Sequence, residues 1–206
     1  MANGPSVIVV ANQKGGVGKT TTVVNLASSY AHLGKKVLVI DLDYQANATS
    51  ALGVDESKIA EGASITRAIS EELTLDKVRL PSRVKNVDVL SSTRGLLGLP
   101  EKFLGQPNQF SLVTSVLDCP EYEEYDIILI DTHPSLDCLS QSAFRASHYY
   151  LIPLFAEADS ARGLGHQIQA VEKIRQYQNP MLMLLGCVIT RFDKQNATHR
   201  KFELSL

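Results

Sequence analysis

One glycine-rich run reads Lys14-Gly15-Gly16-Val17-Gly18-Lys19-Thr20-Thr21 and follows an apolar segment at residues 7–10. Short β-branched segments of this kind are typical of buried strands. After the run, residues 20–33 carry a helical stripe of apolar side chains and end at Gly34, which predicts a helix with its C-terminal cap. A glycine-rich turn between a strand and a helix directs backbone N–H groups inwards, and the helix N-terminus adds positive potential. The run therefore predicts a phosphate-binding loop.

The residues of this loop have separate expected roles. Lys19 supplies a cation for the β- and γ-phosphates of a nucleotide, and Thr20 supplies a hydroxyl for Mg²⁺. The general phosphate-loop pattern has a glycine where this chain has Gln13. The alternatives are a turn that only packs a strand against a helix, and a dinucleotide site, which fits less well because the required glycine spacing is missing. The whole set predicted to bind nucleotide is Lys14, Gly15, Gly16, Val17, Gly18, Lys19, Thr20 and Thr21.

Outside the loop, short apolar segments alternate with longer helical ones, as in repeated strand-helix-strand units. Helices are predicted at residues 65–71 and 159–177, whereas residues 44–58 are interpreted as a loop and residues 81–109 as long connections around one strand. The expected fold class is α/β, a parallel-sheet P-loop NTPase with helices on both faces, in a single domain over residues 1–206 that is short at the C-terminus. The predicted strands are residues 7–10, 37–40, 87–90, 127–130, 149–152 and 184–189.

The composition is that of an ordinary globular chain. It has 206 residues, of which 44% are hydrophobic and 20% charged, and its formal net charge is −2. This charge excludes a global basic field for nucleic-acid binding, so that DNA contact would need a local patch. The three widely spaced cysteines disfavour a disulfide framework or a metal-cluster site. No signal peptide or membrane span is recognised, so a cytoplasmic location is expected.

Several motifs together resemble those of the ParA/MinD family of deviant Walker A ATPases. They are the glycine-rich run after Ala11-Asn12-Gln13, then Asn25-Leu26-Ala27, then residues 39–49, which read VIDLDYQANAT, and finally residues 125–136, which read YDIILIDTHPSL. The resemblance covers roughly residues 6 to 193. It implies ATP and Mg²⁺ as cofactors and an ATP-dependent sandwich dimer in which Lys14 reaches the phosphates of the partner subunit.

Three aspartates follow the ends of predicted strands and complete the expected site. By resemblance, Asp43 is the catalytic aspartate of the first switch loop, where its carboxylate would orient the attacking water, and Lys14 is the second catalytic residue. Asp131 corresponds to the Walker B residue and would hold a water of the Mg²⁺ shell. Asp41 is predicted to support the Mg²⁺ waters as well. A strand-terminal carboxylate satisfied by backbone donors is the alternative for Asp41.

The chain departs from the family pattern in both switch loops and near its end. Tyr44 and His133 stand where the family usually has proline, and His133 is interpreted as a spacer and not as a catalytic base. Family members continue for some fifty residues beyond the last matched motif. The remaining basic cluster, which either contacts phosphates or is a solvated tail, comprises Arg191, Lys194, His199, Arg200 and Lys201.

The leading functional hypothesis is a ParA-like partition ATPase. Its ATP-bound homodimer would bind DNA non-specifically and associate with the nucleoid, and a ParB-like or other adaptor would stimulate slow hydrolysis. The alternatives are a MinD-like positioning ATPase at a membrane surface, although membrane binding is not expected here, a metabolic P-loop enzyme, and a protein that holds nucleotide without hydrolysing it.

Overall fold

The fold is given by a computed structural model that describes residues 4–71 and 73–203. Seven strands form one sheet in the order β3-β4-β2-β5-β1-β6-β7. All neighbouring strands are parallel except β3, which pairs antiparallel with β4. The strands are β1 (Ser6–Val10), β2 (Val37–Leu42), β3 (Arg79–Pro81), β4 (Val87–Leu90), β5 (Ile127–Thr132), β6 (Tyr149–Phe155) and β7 (Met183–Thr190).

Helices connect these strands, and two of them are long. The α-helices are α1 (Lys19–His32), α2 (Asn47–Leu52), α3 (Glu56–Ala60), α4 (Ile65–Glu71), α5 (Leu75–Val78), α6 (Leu99–Phe103), α7 (Leu112–Leu117), α8 (Cys138–Ala146), α9 (Ala158–Tyr177) and α10 (Ala197–Glu203). Short 3-10 helices cover Arg94–Gly98 and Pro120–Glu124. None of the helices described combines the length and the apolarity that crossing a membrane requires.

The sheet is covered on both faces because its strands are apolar at successive positions. Val7 and Val9 belong to one buried hydrophobic cluster, whereas Ile8 and Val10 belong to a second one. Successive side chains of a strand point to opposite faces, so that the two clusters lie on opposite sides of the sheet. Helices α4 and α6 to α9 contribute to the first cluster and α1 and α2 to the second. The prediction of an α/β fold with helices on both faces is confirmed.

The order of the strands brings the motifs quoted from the sequence to the carboxyl ends of neighbouring strands. Strand β1 lies between β5 and β6, and β2 lies on the other side of β5. In the register of these pairs, Val10 and Asp41 both stand opposite Asp131. The segments that follow β1, β2 and β5 therefore meet at the carboxyl ends of three adjacent strands, where open α/β sheets form a crevice.

All six predicted strands are confirmed, and each lies within a strand of the structure. The interpretation of residues 44–58 as a loop is wrong, because α2 and α3 form there. Helix α2 begins after Ala46, which has a positive φ of 53°, and α3 is capped by the Asp55 side chain, which accepts from the Ser57 N–H. These helices are too short to carry a periodic apolar pattern. The antiparallel strand β3 was also not predicted, and a single domain over residues 1–206 stays a prediction.

Candidate nucleotide-binding site

The glycine-rich run forms an open loop between β1 and α1. Gly16 and Gly18 have φ values of 73° and 90°, which L-residues with side chains rarely adopt. A Cβ added at Gly15 or Gly16 would meet no atom within 4 Å, so the loop leaves space beside its backbone. The loop thus has an open shape that leaves room for a phosphate group, and phosphate binding by these residues stays a prediction.

Lys19 lies at the start of α1 with its side chain under this loop. The residue is 7% exposed, and its Nζ lies 3.4 Å from the carbonyl oxygen of Lys14. Burial lowers the pKa of Lys19, and the negative charges of Asp131 and Asp43 partly oppose that effect. A cation that is only weakly solvated and held inside a glycine loop suits a polyanionic ligand.

Thr20 and Asp131 meet beside Lys19. The Thr20 hydroxyl donates to Asp131 Oδ2 at 2.7 Å. The other carboxylate oxygen, Oδ1, is buried and has no hydrogen-bond partner in the part of the chain that the structure describes. Burial, together with the charge of Asp41, raises the pKa of Asp131 to about 7.

This unpartnered oxygen tests whether the residues suit a magnesium ion. An unsatisfied buried polar atom is costly, and buried carboxylates are normally paired or bound to a metal. Threonine hydroxyl and carboxylate oxygens are ligands that Mg²⁺ and its waters prefer. Thr20 and Asp131 therefore fit a magnesium site, and their role as its ligands stays a prediction.

Asp41 is placed differently from Asp131, although the two carboxylates stand opposite each other in the sheet. Its Oδ2 accepts from the Thr49 backbone N–H at 2.8 Å and from the Thr49 hydroxyl at 2.7 Å, and its Oδ1 accepts from the Asp43 N–H at 3.1 Å. Burial raises the pKa of Asp41 to about 6. Because both oxygens are used by the chain itself, the geometry favours the alternative of a carboxylate that fixes the loop after β2 over a role at the Mg²⁺ waters.

Asp43 faces the same space as the loop. It lines a cavity of about 350 Å³ together with Gly15, Gly16, Lys19 and Thr20. One of its oxygens accepts from the Gln45 N–H at 3.0 Å. Its backbone carbonyl accepts from the Ser92 hydroxyl at 2.6 Å, so the residue is held in place from a neighbouring strand end.

Lys14 lies outside this cavity and forms an ion pair. Its Nζ lies 2.6 Å from Glu157 Oε2 and 5.6 Å from the centre of the Phe155 ring. The side chains of Lys14 and Glu157 are 45% and 54% exposed. The charged group of Lys14 therefore lies beside Glu157, the residue that precedes α9.

The two switch-loop departures, Tyr44 and His133, contact each other, with ring centres 6.1 Å apart. Burial lowers the pKa of His133, but the hydrogen bond and charge of Asp137 and the Leu42 carbonyl outweigh it, so that the pKa is raised overall. For Asp137, burial raises the pKa, but hydrogen bonds from His133 and the Ser140 N–H outweigh burial, so that the pKa of Asp137 is lowered overall.

Three further residues hold the site and were not singled out from the sequence. Asn12 donates to the Pro153 carbonyl at 2.8 Å and accepts from the Lys14 N–H at 2.9 Å. The Thr190 hydroxyl lies 2.8 Å from the carbonyl oxygen of Val17. Ser92 anchors Asp43, as described. Asn12 belongs to a motif quoted from the sequence, which was a usable signal, whereas neither Thr190 nor Ser92 had one.

The basic cluster at the end of the chain lies on the surface. Arg191, Lys194, Arg200 and Lys201 are exposed, and His199 is half-buried. The guanidinium of Arg191 lies 4.8 Å from the centre of the Phe155 ring, which also faces Lys14. Part of the cluster is thus close to the nucleotide loop.

Comparisons with known proteins show which proteins this chain resembles. A family model described as an AAA domain matches residues 5–184. The chain is 36% identical over 199 residues to the chromosome-partitioning ATPase Soj of Thermus thermophilus, which covers 97% of this chain and 74% of that protein.

Solved structures share the fold over nearly the whole chain. A plasmid partition protein from Borrelia burgdorferi is 33% identical and superimposes with a TM-score of 0.79, covering 98% of this chain and 85% of its own. A cobyrinic acid a,c-diamide synthase from Mycobacterium smegmatis, with bound ATP analogue and magnesium, is 29% identical with a TM-score of 0.90, covering 98% of this chain and 81% of its own.

The matched family model, the partition relatives and the arrangement of Lys19, Thr20 and Asp131 lead to one conclusion. This chain belongs to the ParA/Soj-type P-loop ATPases.

Proposed function

We propose that this chain is a partition or positioning ATPase that binds ATP and Mg²⁺ at the glycine-rich loop. ATP would promote a homodimer, the dimer would bind DNA non-specifically at the nucleoid in the cytoplasm, and a ParB-like or other adaptor would stimulate slow hydrolysis. The observation that carries the proposal is the pair Thr20 and Asp131, with one buried carboxylate oxygen left without a partner beside Lys19.

The residues of the loop would contribute to nucleotide binding in different ways. The backbone of residues 14–21 supplies N–H groups around the phosphates, and Lys19 balances their charge from inside the loop. Thr20 and Asp131 would hold the metal or its waters, and the bound metal would offset the negative charge of the phosphates. Val17 would contribute through its backbone, because its side chain is buried, whereas Thr21 lines the cavity.

Asp43 is proposed as the catalytic residue that orients the attacking water. Its side chain lines the cavity, and Ser92 and Gln45 hold its backbone and one carboxylate oxygen in place. A carboxylate fixed in this way can direct a water molecule without a large change in position. Asp41 supports it through the loop, because it accepts from the Asp43 N–H.

Lys14 is proposed to act on the phosphates of a second subunit. Its ammonium group points out of its own cavity, and the only ion pair that the structure gives it among the described residues is the exposed one with Glu157. An exposed pair of this kind is worth little, so that a stronger anion presented by a partner can displace it. The dimer would thereby complete the catalytic site.

DNA contact is proposed for the exposed basic residues of the last segment. Arg191, Lys194, Arg200 and Lys201 offer positive charge on a chain whose net charge is −2. Two such clusters brought together in a dimer would contact more phosphates than one, and the affinity would fall steeply with salt. DNA binding should therefore depend on ATP.

The proposal is tested by measuring phosphate release, molar mass and DNA retention with ATP and Mg²⁺. We expect slow ATP hydrolysis, a dimer by light scattering, and a salt-sensitive mobility shift that ADP does not support. Asp43→Ala should retain the dimer and lose at least about tenfold in hydrolysis rate. Lys19→Ala, the control for binding, should lose nucleotide affinity.

Each part of the proposal has its own contradicting result. Equal phosphate release by the native chain and Asp43→Ala would remove Asp43 from the mechanism. ATP that produces neither a dimer nor DNA retention would refute the partition function. ATP-dependent sedimentation with anionic liposomes, in place of DNA, would support the membrane-surface alternative.

A further inference from the structure

A pair of rings connects the loop that carries Asp43 with the loop that follows β5. Tyr44 follows Asp43 and lines the nucleotide cavity, and its side chain packs against the larger hydrophobic cluster. Its ring lies 6.1 Å from the ring of His133, with an angle of 54° between the planes. The segment after β2 and the segment after β5 therefore touch through side chains as well as through the sheet.

His133 extends this connection with hydrogen bonds at both of its ring nitrogens. Nδ1 lies 3.3 Å from the carbonyl oxygen of Leu42, the last residue of β2. Nε2 lies 2.8 Å from Asp137 Oδ2 and 2.8 Å from the Ser135 hydroxyl. A single ring thus spans from the end of one strand to the segment that starts α8.

Asp137 fixes the far end of this arrangement to a helix. Its Oδ1 accepts from the Ser140 N–H at 3.0 Å and caps α8, while its Oδ2 faces His133. An aspartate at this position is among the most effective helix caps. Because the two oxygens serve different partners, His133 is attached to a rigid element and not to a free loop.

These contacts leave His133 poorly suited to proton transfer with a ligand. Both ring nitrogens are engaged, and the side chain is 11% exposed. His133 is also not among the cavity-lining residues, whereas its neighbours in space and sequence, Tyr44 and Pro134, are. What the ring can do is hold other residues in position.

We propose that His133 is a positioning residue that, with Tyr44 and Asp137, fastens the Asp43 loop to the N-terminus of α8. The two loops on either side of the cavity would then order and open as one unit. The inference rests on the proposed function only in taking this cavity as the nucleotide site. The arrangement ties Asp43 to a helix none of whose residues lines the cavity.

The experiment measures hydrogen exchange in the ligand-free chain, in residues 43–47 and 133–137. Removing the ring in His133→Ala deletes contacts to both loops, so we expect exchange to accelerate about tenfold in both segments together. Tyr44→Ala should accelerate the same two segments, and Tyr44→Phe, which retains the ring, should exchange like the native chain. The double variant should exceed the faster single variant by no more than about twofold, because both remove one connection.

Two conservative variants separate a connection from a local effect. His133→Asn places an amide near the position of Nδ1, and His133→Gln places one near Nε2, so that each variant retains one end of the contact. If His133 connects the loops, both variants accelerate residues 43–47, and they remain informative if His133→Ala fails to fold. Acceleration confined to residues 133–137 in all three variants would overturn the inference.

The kinetics of ATP hydrolysis distinguish a positioning role of His133 from a purely structural one. The variants should lower kcat for ATP hydrolysis about fivefold to tenfold while KM stays within about twofold, because the loop that carries Asp43 is loosened and the phosphate loop is not. A rise in KM without a fall in kcat would contradict positioning. If the native chain hydrolyses no ATP, the proposed function fails, and the exchange experiment still decides the connection between the loops.

Discussion

The buried carboxylate of Asp131 gives the sharpest prediction, because replacing it should stabilise the ligand-free protein. Asp131 is fully buried, and its pKa is raised from 3.8 to about 7. The shift of about 3 units corresponds to about 4 kcal/mol at about 1.4 kcal/mol per unit. This part of the stability is fully present below pH 3.8 and is lost as the pH rises through about 7.

In Asp131→Asn the side chain stays neutral at every pH. The amide oxygen can still accept from the Thr20 hydroxyl, but the amide N–H groups then take the place of the unpartnered oxygen, which costs about 2 kcal/mol. The net gain above pH 7 is therefore about 2 kcal/mol, or about 4 to 8 °C in Tm for a chain of this size. At pH 5 the gain should be smaller or absent. Nucleotide with Mg²⁺ should raise the Tm of the native chain and not that of the variant.

Asp41→Asn is the matched control, since Asp41 is equally buried and stands opposite Asp131. Its oxygens accept from the Thr49 N–H, the Thr49 hydroxyl and the Asp43 N–H, so an amide would set its own N–H groups against a donor. The control should destabilise the protein at all pH values. Both Tm values come from thermal unfolding between pH 5 and pH 8. The reasoning is refuted if Asp131→Asn is destabilising by the same amount at both ends of this range.

Two further changes test the loop and its exposed lysine. Glu157→Gln removes an exposed ion pair, so the free energy of unfolding should change by less than about 1 kcal/mol. ATP-dependent dimerisation, measured by light scattering, should tighten up to about fivefold because Lys14 is released. A weaker dimer would show that Glu157 helps Lys14 instead of competing for it. Gly16→Ala forces a side chain into a φ of 73° and should cost about 1 to 2 kcal/mol in denaturant unfolding. Gly15→Ala, which has equal space and no positive φ, should cost less than half as much, and equal losses would point to contacts and not to backbone strain.

The sheet could be predicted because its information is local. Strands such as β2 and β5 are apolar over consecutive residues, and that pattern belongs to a strand covered on both faces. Helix α2 could not be predicted in the same way, because it has six residues and is anchored by bonds from Thr49 to Asp41, on another element. Tertiary contacts of this kind leave no periodic signal in the sequence.

The candidate site likewise contains residues that the sequence predicts and contacts that it does not. Lys19, Thr20 and Asp131 were predicted from motif and strand position, and the structure brings them together. The ion pair of Lys14 with Glu157 joins residues 143 apart in sequence, and the contact between Tyr44 and His133 depends on how two loops face each other. Such pairings follow from the strand order and from side-chain directions, neither of which a short motif contains.

The hydrogen bond from the Thr190 hydroxyl to the Val17 carbonyl oxygen affects when the nucleotide loop can be completed during synthesis. The two residues are 173 positions apart, and Thr190 also lies against Gly18, where an added Cβ would come within 3.1 Å of its methyl group. At about 5 to 20 residues per second, the loop leaves the ribosome roughly 9 to 35 s before Thr190 does. We therefore expect a nascent chain to hold nucleotide poorly until Thr190 has been synthesised. That delay would keep neighbouring nascent chains from forming the proposed ATP-dependent dimer before they have folded.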